Sequence, residues 1–202
     1  MEPVHKHEMN GIKPYNCHLF SVEKFLADGQ HDKFKARIVM NGDEQDAELF
    51  PDRSSPTVAI HSIMACLTVA AYNGEYKMGK IDVKGAFIQT EMEGPPVFIR
   101  CNRQLTTLMV KTIPELAEYV TDDGLLHCRV LKALYGCIQA SKLWYNKLTK
   151  VLRAEGYEHS PTDPCVMRRI IDGKVFLLLI YVDDILILTD EAELKRIQEV
   201  FV

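Results

Sequence analysis

The sequence predicts an α+β chain, and three observations carry that prediction. Two β-prone runs flank Asp28-Gly29, which fits a hairpin. Two stretches, residues 55–71 and 141–154, keep apolar residues at helical spacing. The most apolar run, "VFLLLIYVDDILIL" at residues 175–188, is too short for a membrane span, which needs roughly 20 residues, and has the length of two buried strands. At 202 residues, 47% hydrophobic and 26% charged, the chain suffices for one substantial core or two small lobes. No repeat, low-complexity segment or dividing linker is present, so one connected unit is expected.

The elements follow in order. The hairpin in "HLFSVEKFLADGQHDKFKARIVMNG" has a basic second strand, with Lys33, Lys35 and Arg37 alternating along it. In "SSPTVAIHSIMACLTVAAYNGE", Ser55 is the expected N-cap and Pro56 suits the first helical position. Ile63, Met64, Leu67 and Ala71 keep the helical period, and Asn73-Gly74 ends it. "KMGKIDVKGAFIQ" is a short strand with Asp82 where it gives way to a turn at Lys84-Gly85. Over residues 141–154, Lys142, Lys147, Lys150 and Arg153 fall on one side of a helix, and Trp144, Tyr145, Leu148, Val151 and Leu152 on the other. "EAELKRIQEVFV" begins a last helix.

Charge is unevenly spread. The net charge of −4 argues against a uniformly basic nucleic-acid binder, yet residues 125–154 contain no acidic residue and six positive ones. A solvated face is the ordinary meaning of a basic stripe. The lack of balancing carboxylates here favours an anion-facing surface, so Lys142, Lys147, Lys150 and Arg153 are expected nucleic-acid contacts. Six scattered cysteines without a C-x-x-C pair indicate thiols in a reducing compartment. "EPVHKHEMNG" after Met1 lacks the apolar core of a secretory signal, so an intracellular product with no membrane partner is expected. His5 and His7 lack a further ligand nearby and receive no role.

Asp183 and Asp184 stand side by side inside the apolar run, where unpaired ionised carboxylates are costly. One arrangement is a solvated turn between two core strands. The other is a tight hairpin presenting both carboxylates to a divalent cation, which requires a further carboxylate at another strand end. Asp82 meets that requirement. Three aspartates at two strand ends suit Mg²⁺, which prefers oxygen ligands and keeps sites for phosphate.

"KFKARIVMNG", "SSPTV", "KIDVKGAFIQ", "LKALYGCIQASKLWY", "DPCVM" and "YVDDILIL" occur in the order and approximate spacing of copia-type retrotransposon reverse transcriptases, which the chain resembles over nearly its whole length. The resemblance implies a right-hand polymerase fold with fingers and a partial palm, an antiparallel palm sheet with packed helices, and no thumb. Fingers are expected at about residues 1–75 and 105–140, and palm at about 76–104 and 141–202. It implies an RNA-directed DNA polymerase in which Asp82, Asp183 and Asp184 bind two Mg²⁺, with Mn²⁺ as a substitute. Phe87 matches the bulky residue that blocks a 2′-hydroxyl. Arg37, with Lys35 as helper, matches the grip on the incoming triphosphate, and Gln139 lies in the segment similar to the nucleotide-positioning motif, whose turn Tyr135 and Gly136 shape. Trp144 and Tyr145 are taken as packing residues.

The implied partners are an RNA or DNA template with primer, deoxynucleoside triphosphates, and the RNase H and integrase segments of a longer Pol polyprotein. The implied setting is a cytoplasmic virus-like particle or the nucleus. Two departures stand out: Met40-Asn41-Gly42 where the family commonly has A-K-G, and Cys137 to Lys142 where it commonly has L-K-Q-A-P-R. Ile138 in place of lysine removes one positive charge from the motif. Two other readings are a remnant that folds and binds nucleic acid or a partner without polymerising, and a nucleotide cyclase on a palm-like fold, which has no use for the acid-free segment.

Overall fold

The structure, a computed structural model, describes residues 1–74 and 76–201 and is mixed α+β. In chain order its elements are β1 (Glu2–Val4), β2 (Tyr15–Phe25), β3 (His31–Met40), α1 (Ile60–Asn73), β4 (Lys77–Asp82), β5 (Phe98–Cys101), α2 (Arg103–Thr112), β6 (Leu126–Arg129), α3 (Ala140–Ala154), β7 (Glu158–His159), β8 (Val166–Ile171), β9 (Lys174–Tyr181), β10 (Asp184–Thr189) and α4 (Glu191–Val200). Contacts divide the chain into two units: Met1–Arg53 with Phe87–Leu143, and Ser54–Ala86 with Trp144–Val202. These divisions differ from the expected ones. Helix α1 groups with the second unit and residues 87–104 with the first.

The first unit is built on a sheet ordered β1-β6-β5-β2-β3, in which β2 runs parallel to β5 and the other neighbours are antiparallel. Its core gathers Cys17, Met40, Ile99, Cys101, Leu126, Cys128, Ala133 and Leu134, with Phe87 and Ile38 packed on its margin. The hairpin β2–β3 forms where the sequence places it. Asp28 Oδ1 accepts from Gln30 N at 3.0 Å and Gly29 adopts φ 85° in the turn. Registration opposes Phe20 to Arg37, Val22 to Lys35 and Lys24 to Lys33, so four cations share one face of this ribbon. Strand β3 ends against the turn at Tyr135-Gly136, where Met40 N donates to Tyr135 O at 2.8 Å. The backbones approach so closely that a Cβ on Gly136, itself at φ 90°, would lie 1.9 Å from Met40 O.

The second unit is an antiparallel sheet ordered β4-β10-β9-β8-β7. On one face Ile185 lies opposite Ile180 and Ile187 opposite Leu178, and all four are fully enclosed. Burying such side chains contributes about 1.5–3 kcal/mol each. Trp144, Leu148 and Leu152 of α3 are equally enclosed, while Lys147, Lys150 and Arg153 face outward, as the helical period requires. Val151 departs from its expected side and is 38% exposed. Helix α4 is capped by Asp190, whose Oδ1 accepts from Glu193 N at 2.9 Å.

Helix α1 begins later than the sequence suggests. Residues 54–59 are not helical, and Ala59 rather than Ser55 takes the N-cap position. The cause is tertiary: Val58 N donates to Ile180 O at 3.1 Å, and Ala59 N donates to Asp163 Oδ2 at 3.0 Å. A distant carboxylate thus does the capping that Ser55 is expected to do. The helix ends as expected, with Gly74 left-handed at φ 66°. All six cysteines are free thiols, five of them buried. Among the described residues, no helix is long and apolar enough to cross a membrane.

Candidate active site

The pairing of β4 with β10 sets the geometry of the acidic site. Asp184 is registered directly opposite Asp82, and Ile185 opposite Ile81. Directly opposed residues project to the same face, with Cβ atoms about 4.5–5.5 Å apart. This register buries Ile185 and Ile187 on the opposite face; a slip by one residue would turn Asp184 to that face. Beyond the pair, Val83 N donates to Asp183 O at 2.9 Å, so the backbone of the third aspartate is tied to the end of β4. Asp82 is exposed, and Asp183 and Asp184 are half-buried.

Strands β9 and β10 are joined by Val182 and Asp183 alone, since Tyr181 pairs with Asp184. Val182 adopts φ 57°, a left-handed conformation that a β-branched residue takes only under constraint, at a cost of order 1–3 kcal/mol. Trp144 supplies one constraint: its Nε1–H donates to Val182 O at 2.8 Å. The indole expected only to pack therefore also fixes the tip that carries the carboxylates. Nothing short of the fold could reveal this, because a tryptophan on an apolar helix face ordinarily serves as core.

One cation already contacts the site. Lys80 lies two residues before Asp82 in β4, and its Nζ is 2.9 Å from Asp184 Oδ1. The hydrogen bond and charge of Asp184 raise the affinity of this amine for its proton, with Asp82 and Asp183 adding in the same sense. Among the described residues, no three His, Cys, Asp or Glu side chains gather into a preformed metal centre. The donor set nevertheless fits a hard divalent cation: carboxylate oxygens on one exposed face, already neutralised in part by a positive charge.

In the first unit, Arg37 lies with its guanidinium over the ring of Tyr135, 5.3 Å from the centroid, and the Phe87 and Tyr135 ring centroids are 5.0 Å apart. Tyr135 thus links the residue expected to grip phosphate with the one expected to exclude a 2′-hydroxyl. Lys35 projects from the same ribbon face as Arg37 and is exposed. Gln139 is placed differently from its expected role. It is 3% exposed and its Oε1 accepts from Gln45 Nε2 at 3.2 Å, while Gln45 Oε1 accepts from Ile138 N at 2.9 Å. Its side chain is an interior group holding the turn, and Tyr135 is the member of that motif that reaches the surface side chains. Gln45, in the acidic stretch, carried no sequence signal for this contact.

The basic stripe is also only partly open. Lys142 Nζ is 3.2 Å from Asp52 Oδ1 and largely covered. Lys150 and Arg153 are exposed, as is Lys147. Asp163, in "DPCVM", is 6% exposed. Burial pushes its pKa up, but hydrogen bonds from Ser62 and from the Ala59 and Cys165 amides outweigh this and hold the carboxyl below its ordinary value. Its task is structural: it fixes the start of α1 and the entry to β8.

Comparison with known proteins identifies the family. A family model described as reverse transcriptase (RNA-dependent DNA polymerase) matches residues 12–201. The chain is 30% identical over 179 residues to the Retrovirus-related Pol polyprotein from transposon TNT 1-94 of Nicotiana tabacum, covering 88% of this chain and 12% of that protein. It is 30% identical over 187 residues to the Retrovirus-related Pol polyprotein from transposon RE2 of Arabidopsis thaliana, covering 89% of this chain and 11% of that protein. A similar protein from transposon RE1 of the same plant is 30% identical over 185 residues, covering 88% and 11%. The chain thus spans little more than a tenth of the length of these relatives. With its matched residues running from Ile12 to Phe201 and its opposed aspartates in register, the chain belongs to the reverse transcriptase (RNA-dependent DNA polymerase) family, as a copia-type Pol region.

Proposed function

We propose that this chain forms the fingers and most of the palm of an RNA-directed DNA polymerase that extends a primer by two-metal nucleotidyl transfer. The observation that carries the proposal is the direct opposition of Asp82 and Asp184 with Asp183 at the adjoining hairpin tip. In this reading the first unit corresponds to fingers and the second to palm. Asp82, Asp183 and Asp184 hold divalent cations, Mg²⁺ or Mn²⁺. Such ions, when bound, would lower the pKa of the primer 3′-hydroxyl and neutralise charge on the triphosphate.

The chain's own residues do the positioning. Arg37, its guanidinium over the Tyr135 ring, pairs with triphosphate oxygens, and Lys35 adds a point charge on the same ribbon face. Phe87, braced by Tyr135, excludes a 2′-hydroxyl and so selects deoxynucleotides. Lys147, Lys150 and Arg153 bind backbone phosphates of a template-primer, whether the template is RNA or DNA, and this binding weakens with salt. Catalysis comes from alignment and charge, without a covalent enzyme intermediate. The longer Pol polyprotein of its relatives supplies the context for RNase H and integrase partners, and action inside the cell, in the cytoplasm or nucleus, follows from this reading.

Primer extension on poly-rA with oligo-dT and Mg²⁺ tests the proposal. Extension by the chain that is abolished in Asp183→Asn supports it. Retarded nucleic acid without extension, unchanged by that substitution, supports a non-polymerising binder instead.

A further inference from the structure

Lys80 is a cation in contact with Asp184 of the acidic triad, and its position is set by the strand. It shares with Asp82 the face of β4 on which Asp184 lies, because residues two apart in a strand project together. The ammonium is 63% exposed and the Asp184 carboxylate 43%, so neither is locked by packing. An exposed pair of this kind contributes little to stability. Its consequence lies elsewhere: a divalent cation approaching Asp184 meets a carboxylate oxygen that already has a partner.

We propose that Lys80 is a built-in competitor of the divalent cation at Asp184, so that cation loading is an exchange in which the ammonium is displaced. This deepens the polymerase reading of the same site and rests on it. An ammonium on Asp184 Oδ1 and a divalent ion on the same carboxylate repel each other, twice as strongly as two monovalent charges at the same separation would, and they compete for the same acceptor oxygen. Loading therefore favours the lysine side chain swinging away, which its exposure permits. The exchange sets the cation affinity of the triad below what three carboxylates alone would give. It also makes that affinity sensitive to ionic strength, since exposed charges are screened over about 10 Å at 0.1 M salt.

Free Mn²⁺ in titrations of the whole chain, followed by electron paramagnetic resonance, tests this without any need for polymerase activity. Lys80→Met should bind Mn²⁺ about tenfold more tightly than the natural chain at low salt, while Lys80→Arg stays close to it. The gap should narrow as salt rises, and Asp184→Asn should weaken binding in either background. Equal affinity in Lys80→Met and the natural chain, or weaker affinity in the variant, overturns the exchange while leaving the metal-binding reading intact. No Mn²⁺ binding in the natural chain, Lys80→Met or Lys80→Arg overturns both.

Discussion

Replacing Glu193 by alanine tests how the second unit holds its last helix. The carboxylate is 5% exposed and accepts from Tyr157 Oη at 2.8 Å, Arg169 Nη1 at 3.0 Å, and Arg196 Nε and Nη2 at 2.7 and 2.8 Å. Removing one partner of a buried ion pair costs about 3–5 kcal/mol when the remaining charge is sealed from water. Here the Arg169 and Arg196 side chains are 27% and 35% exposed, and Arg196 keeps Glu155, so the cost falls to about 2–3 kcal/mol. With a urea slope of about 1–3 kcal/mol/M, the midpoint should drop by roughly 1–2 M. Trp144, the single tryptophan, lies in the same unit and reports the transition by fluorescence.

The pH dependence has a definite sign. Burial raises the Glu193 pKa, but hydrogen bonds from Arg196 and Tyr157 and the charges of Arg196 and Arg169 outweigh it, leaving the pKa below its ordinary value. A carboxylate depressed by folding contributes stability above its unfolded pKa of about 4.3 and loses it as pH falls through the folded value. The difference between natural chain and Glu193→Ala should therefore be constant at neutral pH and shrink in acid. A loss below about 0.5 kcal/mol at pH 7, or a difference that grows in acid, refutes the account of this network.

Three further outcomes follow from single contacts. Trp144→Phe removes the donor to Val182 O, worth about 1 kcal/mol, and should shift the amide resonances of Asp183 and Asp184 while most of the fold is retained. Gly136→Ala should cost more than about 4 kcal/mol by thermal circular dichroism, because its Cβ would meet the Met40 backbone; Gly11→Ala, also at positive φ but with nothing within 4 Å, should cost only about 1 kcal/mol. Tyr135→Leu should weaken deoxynucleoside triphosphate binding about two- to fivefold by calorimetry through loss of the ring beneath Arg37, and Tyr135→Phe should not.

The acidic site is legible in the sequence from local chemistry: two adjacent carboxylates inside an apolar run are costly without a compensating partner, and Asp82 at another strand end is the further carboxylate that such a partner requires. The hairpin at Asp28-Gly29 and the helix carrying Trp144 are legible from local pattern as well. The start of α1 is not, because Asp163 and Ile180, more than 100 residues away, decide it. Strands β5 and β6 and helix α2 drew no assignment, although Asn102, which caps α2 by accepting from Leu105 N at 2.9 Å, is a readable signal. The Asp172-Gly173 turn between β8 and β9, with φ 50° and 77°, was equally available as a hairpin signal. Gln139 marks a different limit: a family motif fixes a position along the chain, whereas exposure depends on what packs around it, here Gln45.

Paramagnetic broadening by Mn²⁺ in amide spectra of the isotope-labelled chain tests the central claim most directly, since it locates the cation without requiring turnover. The account predicts that the resonances of residues 82, 183 and 184 broaden first and together, and that Asp82→Asn and Asp184→Asn each shift the effect to higher Mn²⁺ concentration. Broadening centred on another acidic stretch, such as residues 42–48, with 82, 183 and 184 unaffected, would contradict it.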